Sequence, residues 1–281
     1  MVPLSLRVYL TSFTNMCFII GQLIAAGVLE GLINNTTQWA YRIPFAIQWV
    51  WPAVLFPVLL FAPDSPWWLV RKGRLDDAEK SVLRLSSKAT RANAKQTVAL
   101  MVHTNNLEIE LSAGTSYVQC FRGVDLRRTE IACISFAGQI FSGLQFAYSA
   151  TYFFQQIGVS SGSSYKLNVG STALALFGTL LSWFCVMPYV GRRMTYLVGI
   201  VAMTVILFII GFLDLDSSNK QASTTQAALT LLWTLVFQLS VGQLGWAIPS
   251  EISSTRLRQK TVVIARNSYN IVGIVGGVLE P

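Results

Sequence analysis

The chain alternates between long uncharged stretches and short polar segments. A transmembrane helix needs about 20 mostly apolar residues, whereas helices buried in soluble cores use runs of about 10–14. Six uncharged stretches of at least 20 residues are bounded by charged residues at both ends, and a seventh apolar stretch begins near Val262. The pattern therefore predicts about seven transmembrane helices. The charged residues that bound the first six stretches lie at 7 and 30, 42 and 64, 130 and 166, 166 and 192, 193 and 214, and 220 and 251.

The composition of the chain also indicates a membrane environment. Hydrophobic residues make up 53% of the chain and charged residues 12%, about half of the share in soluble domains. The expected fold class is an all-α membrane protein. Metal-ligand and redox spacings are absent among the four cysteines, so no metal site and no cofactor is predicted. These cysteines are Cys17, Cys120, Cys133 and Cys185.

Charge distribution sets the predicted topology. More than half of the charged residues lie between Asp64 and Glu130, which places two helices before this segment and five after it. Loops rich in Lys and Arg stay on the cytoplasmic side. Segment 64–130 and the loops near 188–193 and 250–261 are therefore predicted to be cytoplasmic. The basic residues of the two short loops are Arg192, Arg193, Arg256, Arg258 and Lys260.

The polar segment has helical periodicity of its own. Leu75, Ala78, Val82 and Leu85 recur at helical spacing among charged residues, which predicts an amphipathic helix at the membrane surface. A second amphipathic helix is expected over 97–111. Basic residues are not interleaved with aromatic ones, so nucleic acid is not an expected partner, and the lipid bilayer is.

Side-chain amides are the main polar groups inside the apolar windows. Amides donate and accept hydrogen bonds, and aromatic faces cover apolar ring surfaces, so the two together suit a neutral, hydroxyl-rich ligand. Gln139 and Gln145 lie about 600° apart on one ideal helix, so they are expected to flank a cavity. The same amides also suit hydrogen bonds between helices. An ion channel would favour charged rings, and no arrangement of catalytic residues indicates an enzyme.

Several motifs resemble the sugar porter branch of the major facilitator superfamily, in particular the fungal maltose and α-glucoside permeases. Residues 63–74 (PDSPWWLVRKGR) resemble the signature after the sixth family helix, with Trp67 in place of its usual arginine. Residues 191–193 (GRR) resemble the turn between helices eight and nine. Glu251 and Arg258 resemble the acid–arginine pattern between helices ten and eleven.

The resemblance implies a partial major facilitator bundle that corresponds to family helices five to eleven, the last of them truncated. It implies three parts: 1–62 with two transmembrane helices, 63–126 as a cytoplasmic amphipathic linker, and 127–281 with the helices of the carboxyl-terminal half. The expected function is alternating-access transport of a sugar, such as the α-glucoside maltose, through the plasma membrane. Protons are the candidate coupling ion.

The resemblance also assigns roles to individual residues. Gln139, Gln145, Trp246 and Asn15 match sugar-binding positions, and Gln238 stands where many relatives carry an acid. Gating roles at the cytoplasmic ends of the helices are implied for Glu251, Arg258, Arg192 and Arg193.

An alternative is a truncated membrane protein that does not transport, or a sugar sensor built on the same scaffold. A sensor would usually add a long cytoplasmic tail. Uptake of labelled sugar separates these alternatives from a transporter.

The topology is testable with epitope tags. A tag inserted near Asn93 should be cytoplasmic and one near Asn219 external, because basic residues concentrate in the loop around the first position. Protease protection in sealed vesicles measures on which side of the membrane each tag lies. Finding both tags on the same side would contradict the helix count.

Overall fold

The computed structural model describes residues 4–86, 93–112, 116–215, 220–254 and 257–279. Every regular element in these ranges is a helix, as predicted. The chain forms two units, one of residues 1–40 with 117–281 and one of residues 41–116. The helices are α1 (Leu4–Leu32), α2 (Trp39–Ile47), α3 (Val50–Phe61), α4 (Pro66–Arg71), α5 (Leu75–Leu85), α6 (Ala94–Ser112), α7 (Gly123–Phe141), α8 (Leu144–Tyr148), α9 (Ala150–Gln156), α10 (Ser161–Leu181), α11 (Arg192–Asp214), α12 (Lys220–Leu239), α13 (Val241–Ile252) and α14 (Arg258–Leu279).

Six segments in the described ranges are long and apolar enough to cross a membrane. They match six of the seven predicted windows. The remaining window, 130–166, is helical but divided among α7, α8, α9 and the start of α10, and no helix in it is both long and apolar enough to count as a span. The six segments are Tyr9–Leu32, Trp39–Phe61, Ser161–Val186, Arg192–Asp214, Gln221–Ile252 and Arg258–Leu279.

The break between α7 and α8 corrects the expectation that 139–145 is one continuous helix. Gly143 has φ of 92°, a left-handed conformation that glycine adopts at little cost. Ser142 N–H still donates to the Gly138 carbonyl, but the chain then turns before Leu144. Gln139 and Gln145 therefore belong to different helices, and their angular separation on an ideal helix does not apply.

A second break divides α12 from α13 at Ser240, whose backbone lies far from helical values, at φ −123° and ψ −89°. Helix α11 lies close to this break: a Cβ atom added to Gly199 would collide with the side chain of Ser240. A π-helical turn, Ser182–Val186, follows α10. Interruptions of this kind in helices are frequent at functional sites.

The larger unit has three apolar clusters among its described residues, of which two connect long helices. One lies between α11 and α12, where Met203 and Ile206 pack against Trp233 and Phe237. The second joins α7 to α14 through Ala132, Phe136 and Ala265. Helix α1 packs on α10 and α13, which completes the set of helices around the site described below.

The smaller unit contains the linker helices. In α5, Ala78 and Val82 are buried, as the periodicity predicts, although Leu75 and Leu85 at the two ends are exposed. The predicted helix over 97–111 lies within α6, and its Val98 is buried in one apolar cluster with Ala78 and Val82. At the start of α5, hydrogen bonds from Arg74 hold the pKa of Asp77 below its usual value.

The signature segment 63–74 forms α4 and a turn that ends it. Pro66 occupies the first helical position, where a missing N–H costs nothing. Gly73, at φ 76°, donates its N–H to the Val70 carbonyl, and Arg74 N–H donates to that of Leu69. This is a Schellman cap, which needs glycine at its left-handed position.

Close packing at Gly199 yields a stability prediction. We expect Gly199→Ala to destabilise the protein by about 1–3 kcal/mol, because the added methyl group overpacks against Ser240. Gly211→Ala on the same helix is the matched control, since a Cβ there meets open space. The measurement is the thermal unfolding midpoint in detergent. Equal midpoints for both variants would contradict the close approach.

Candidate functional site

A polar cavity of about 310 Å³ lies within the larger unit. It is bounded by α1, α7, α8, α10, α12, α13 and α14. Its described lining combines amides, hydroxyl groups and aromatic rings with one basic residue, and this lining includes no carboxylate. The polar and aromatic lining residues are Asn15, Phe18, Gln22, Gln139, Tyr148, Asn168, Ser171, Thr172, Trp233, Thr234, Phe237, Gln238, Trp246, Arg266 and Tyr269.

Gln139 lies two residues before the end of α7 and is 3% exposed. Its Nε2 donates to the carbonyls of Val241 and Gly242, each at 3.2 Å, in the first turn of α13. The carboxamide thus reaches from one broken helix to the other. Gln139 therefore bonds two helices together, which is one of the two sequence-based interpretations, and it also lines the cavity, where contact with a sugar stays a prediction.

Asn15 reaches the cavity from α1. Its Nδ2 donates to Oε1 of Gln238 at 3.0 Å, and both residues line the cavity. Each amide keeps further donors or acceptors beyond this bond. Gln238 therefore serves here as the acceptor for the Asn15 amide.

Gln145 is separated from this group by the turn at Gly143. Its Nε2 donates to the Gly273 carbonyl at 3.2 Å, which joins α8 to α14, and it is not among the cavity-lining residues. Of the four predicted sugar-binding residues, the structure thus brings Gln139, Asn15 and Trp246 to one cavity and leaves Gln145 outside it.

Trp246 lies on α13 and contacts rings on both sides. The Phe136 ring meets it edge-on at 5.6 Å between centroids, and the Phe18 ring stacks on it at 6.4 Å. The Arg266 guanidinium lies 4.9 Å from the Trp246 centroid. The tryptophan is therefore held in a fixed orientation at the wall of the cavity.

Arg266 is a lining residue that the sequence interpretation missed. Its guanidinium is 4.1 Å from the centre of the Tyr269 ring and 5.7 Å from that of Phe136. Aromatic faces attract cations and partly replace lost hydration. The available signal was a lone basic residue within the last apolar window, because charges in such windows usually face a cavity.

The predicted gating residues lie at the ends of α11, α13 and α14. Arg192 Nε and Glu251 Oε2 form an ion pair at 2.9 Å. The neighbouring Arg193 is exposed. Arg258 is half-buried, and its Nε has no hydrogen-bond partner among the described atoms. The geometry brings Glu251 to one arginine of the three, and the gating role of the set stays a prediction.

Comparison with known proteins gives the family. A sequence profile described as "Sugar (and other) transporter" matches residues 1–281. The chain belongs to the sugar transporter family. As a member of that family with six apolar spans in its described ranges, it is a multi-pass membrane protein.

Two curated relatives from Saccharomyces cerevisiae extend this match. A general alpha-glucoside permease of strain S288c is 36% identical over 285 residues. A maltose permease of the same strain is 36% identical over 283 residues. Each alignment covers 99% of this sugar transporter chain and 46% of the relative, so the chain spans about half the length of the curated relatives it matches.

Solved structures show the same fold. The proton:xylose symporter XylE bound to 6-bromo-6-deoxy-D-glucose superposes with a TM-score of 0.74 at 23% identity, over 98% of this chain and 56% of that one. A partially occluded, inward-open structure of the xylose transporter XylE from E. coli gives a TM-score of 0.70 at 20% identity, over 98% and 58%. The fold of the chain is therefore that of the major facilitator superfamily, as expected.

The ion pair at the end of α13 is testable by a double-mutant cycle. Arg192→Gln and Glu251→Gln should be non-additive by about 0.2–1 kcal/mol, since the Arg192 side chain is 49% exposed and water screens the pair. High salt should reduce this coupling. Thermal unfolding of the purified protein measures it. Arg193→Gln is the control, and equal coupling of Glu251 to Arg193 would contradict the pairing.

Proposed function

We propose that this chain forms the sugar-binding part of a transporter for α-glucosides such as maltose, located in the plasma membrane. The observation that carries the proposal is the cavity where Gln139, Asn15 and Trp246 converge from three helices. Amide donors and acceptors beside an aromatic face suit hydroxyl groups around an apolar ring. The names of the yeast relatives, which are alpha-glucoside and maltose permeases, support the disaccharide.

Alternating access is the proposed mechanism. In this fold the substrate site lies near the bilayer midplane, and the helices around it rearrange to open the site to either side. The breaks at Gly143 and Ser240 lie next to the lining residues Leu144 and Gln238, and rearrangement at these breaks requires little loss of regular helix. The proposed gate formed by Arg192 and Glu251 would close the cytoplasmic side.

Proton coupling is a further part of the proposal. No carboxylate contributes to the described lining, so the residues described around the cavity supply no acidic side chain for such coupling. We expect the coupling group to come from elsewhere in the complete transporter. Sugar-induced alkalinisation of a weakly buffered cell suspension would report such coupling.

The experiment that tests the function uses cells that lack their own sugar carriers. Labelled maltose and glucose are supplied to cells that express this chain or a version lengthened at its amino terminus by the first part of the yeast alpha-glucoside permease. The proposal expects saturable maltose uptake by the lengthened version. Maltose binding without uptake by either version would instead indicate a sensor, and absence of both binding and uptake would contradict a sugar site.

Trp246 provides the matched mutational test. Trp246→Ala should raise the dissociation constant for maltose about two- to tenfold, the range expected for loss of one aromatic contact. Trp51→Ala on α3 is the control, because that side chain is exposed and is not part of the cavity lining. Equilibrium binding of labelled maltose to the purified protein measures both. Equal dissociation constants for the two variants would show that Trp246 does not contribute to maltose binding.

A further inference from the structure

Polar contacts link the interruptions in three helices of the larger unit. The Ser182 hydroxyl, at the start of the π-helical turn after α10, donates to the Leu239 carbonyl at 3.1 Å, directly before the Ser240 break. Trp183 Nε1 donates to Oε1 of Gln243, whose Nε2 donates to the Thr179 hydroxyl. The α10 side of the break is thus held by side chains.

The opposite side of the break is held by Gln139. Its two hydrogen bonds end on Val241 and Gly242, the first two residues of α13. Gln139 itself stands one turn before the second break, at Gly143, and the Ser142 hydroxyl donates to the Gln139 carbonyl at 2.9 Å. One side chain therefore connects the end of α7 with the start of α13.

A glycine makes room for this connection. A Cβ atom added to Gly245 would collide with the carboxamide of Gln139. Gly245 lies one turn after Val241 and carries no side chain, so the carboxamide sits directly against the buried backbone of the first turn of α13. Nε2 is committed to the two carbonyls, and Oε1 has no partner among the described residues.

We propose that Gln139 is the residue that couples occupancy of the cavity to the break between α12 and α13. A hydroxyl group that donates to Oε1 polarises the amide and strengthens its bonds to the carbonyls of Val241 and Gly242. Ligand binding then stiffens the first turn of α13. Gln139 acts as a positioning residue for α13, in addition to any direct contact with the sugar. The effect of ligand binding rests on the proposed function. The clamp on α13, which is the pair of hydrogen bonds from Gln139 to Val241 and Gly242, does not.

Hydrogen–deuterium exchange of the purified full chain tests the clamp without ligand. Gln139→Met keeps the volume of the side chain and removes the donor. We expect exchange in peptides that cover 240–248 to become about two- to tenfold faster, as loss of one hydrogen bond predicts. Gln145→Met is the matched control: it removes the bond to Gly273 and should leave exchange over 240–248 unchanged. Unchanged exchange in Gln139→Met would overturn the clamp.

A second variant approaches the same contact from α13. Gly245→Ala should displace the carboxamide and accelerate exchange over the same residues. Because both substitutions break one contact, their combination should be no faster than the larger single effect. Multiplying effects would show two independent packing defects and would overturn the clamp.

Maltose at saturating concentration tests the coupling. In the unaltered chain maltose should slow exchange over 240–248, and in Gln139→Met it should not. Labelled maltose is used first to establish that each protein binds the sugar. If maltose binds and exchange over 240–248 responds equally in both proteins, the coupling is wrong and the proposed function stands. If the unaltered chain does not bind maltose, the proposed function and the coupling both fail, and the ligand-free comparison alone decides the clamp.

Discussion

Hydrocarbon offers no hydrogen bonds, so every backbone polar group within a membrane must find its partner inside the protein. A regular helix meets this requirement by itself, and an interrupted one does not. In the larger unit, side chains from neighbouring helices supply the missing contacts at the Ser240 break: Ser182 bonds to Leu239, and Gln139 bonds to Val241 and Gly242. The Ser240 break therefore lies where polar side chains of neighbouring helices reach its backbone.

This constraint explains why polar residues collect around one cavity. The amides and hydroxyl groups that satisfy broken helices also line space between those helices, and they retain donors or acceptors beyond their structural bonds. Asn15 and Gln238 illustrate this, since their mutual bond uses one donor and one acceptor of two amides. A hydroxyl-rich ligand can use what is left. The side chains that bond the helices together are thus also the ones that the proposed ligand would contact, and Gln139 is one of them.

The helical fold could be predicted from the sequence because membrane thickness imposes a length on each apolar window. The linker helices could be predicted as well, since their apolar residues recur at a regular spacing, and burial of Ala78 and Val82 agrees with that periodicity. The helix breaks at Gly143 and Ser240 could not be predicted from this pattern. Ser240 is an ordinary residue in an apolar stretch, and the break there is contacted by residues distant in sequence: Ser182 bonds to the Leu239 carbonyl, and Gly199 lies against the Ser240 side chain. Gln145 was misplaced for the same reason, because the prediction assumed an unbroken helix. Arg266 was overlooked because its partners are aromatic rings rather than an acid.

Arg266 has an electrical consequence. It lies about 12 Å along α14 from Arg258, and its charge is held among three aromatic rings. A charge inside the bilayer interacts with the transmembrane potential by about 2.3 kcal/mol per 100 mV for passage across the whole field. Any shift of α14 along the membrane normal therefore performs electrical work, even when the cargo is neutral. A displacement through one tenth of the field corresponds to about 0.2 kcal/mol per 100 mV. A transmembrane voltage would therefore bias any equilibrium between positions of α14 that differ along the membrane normal.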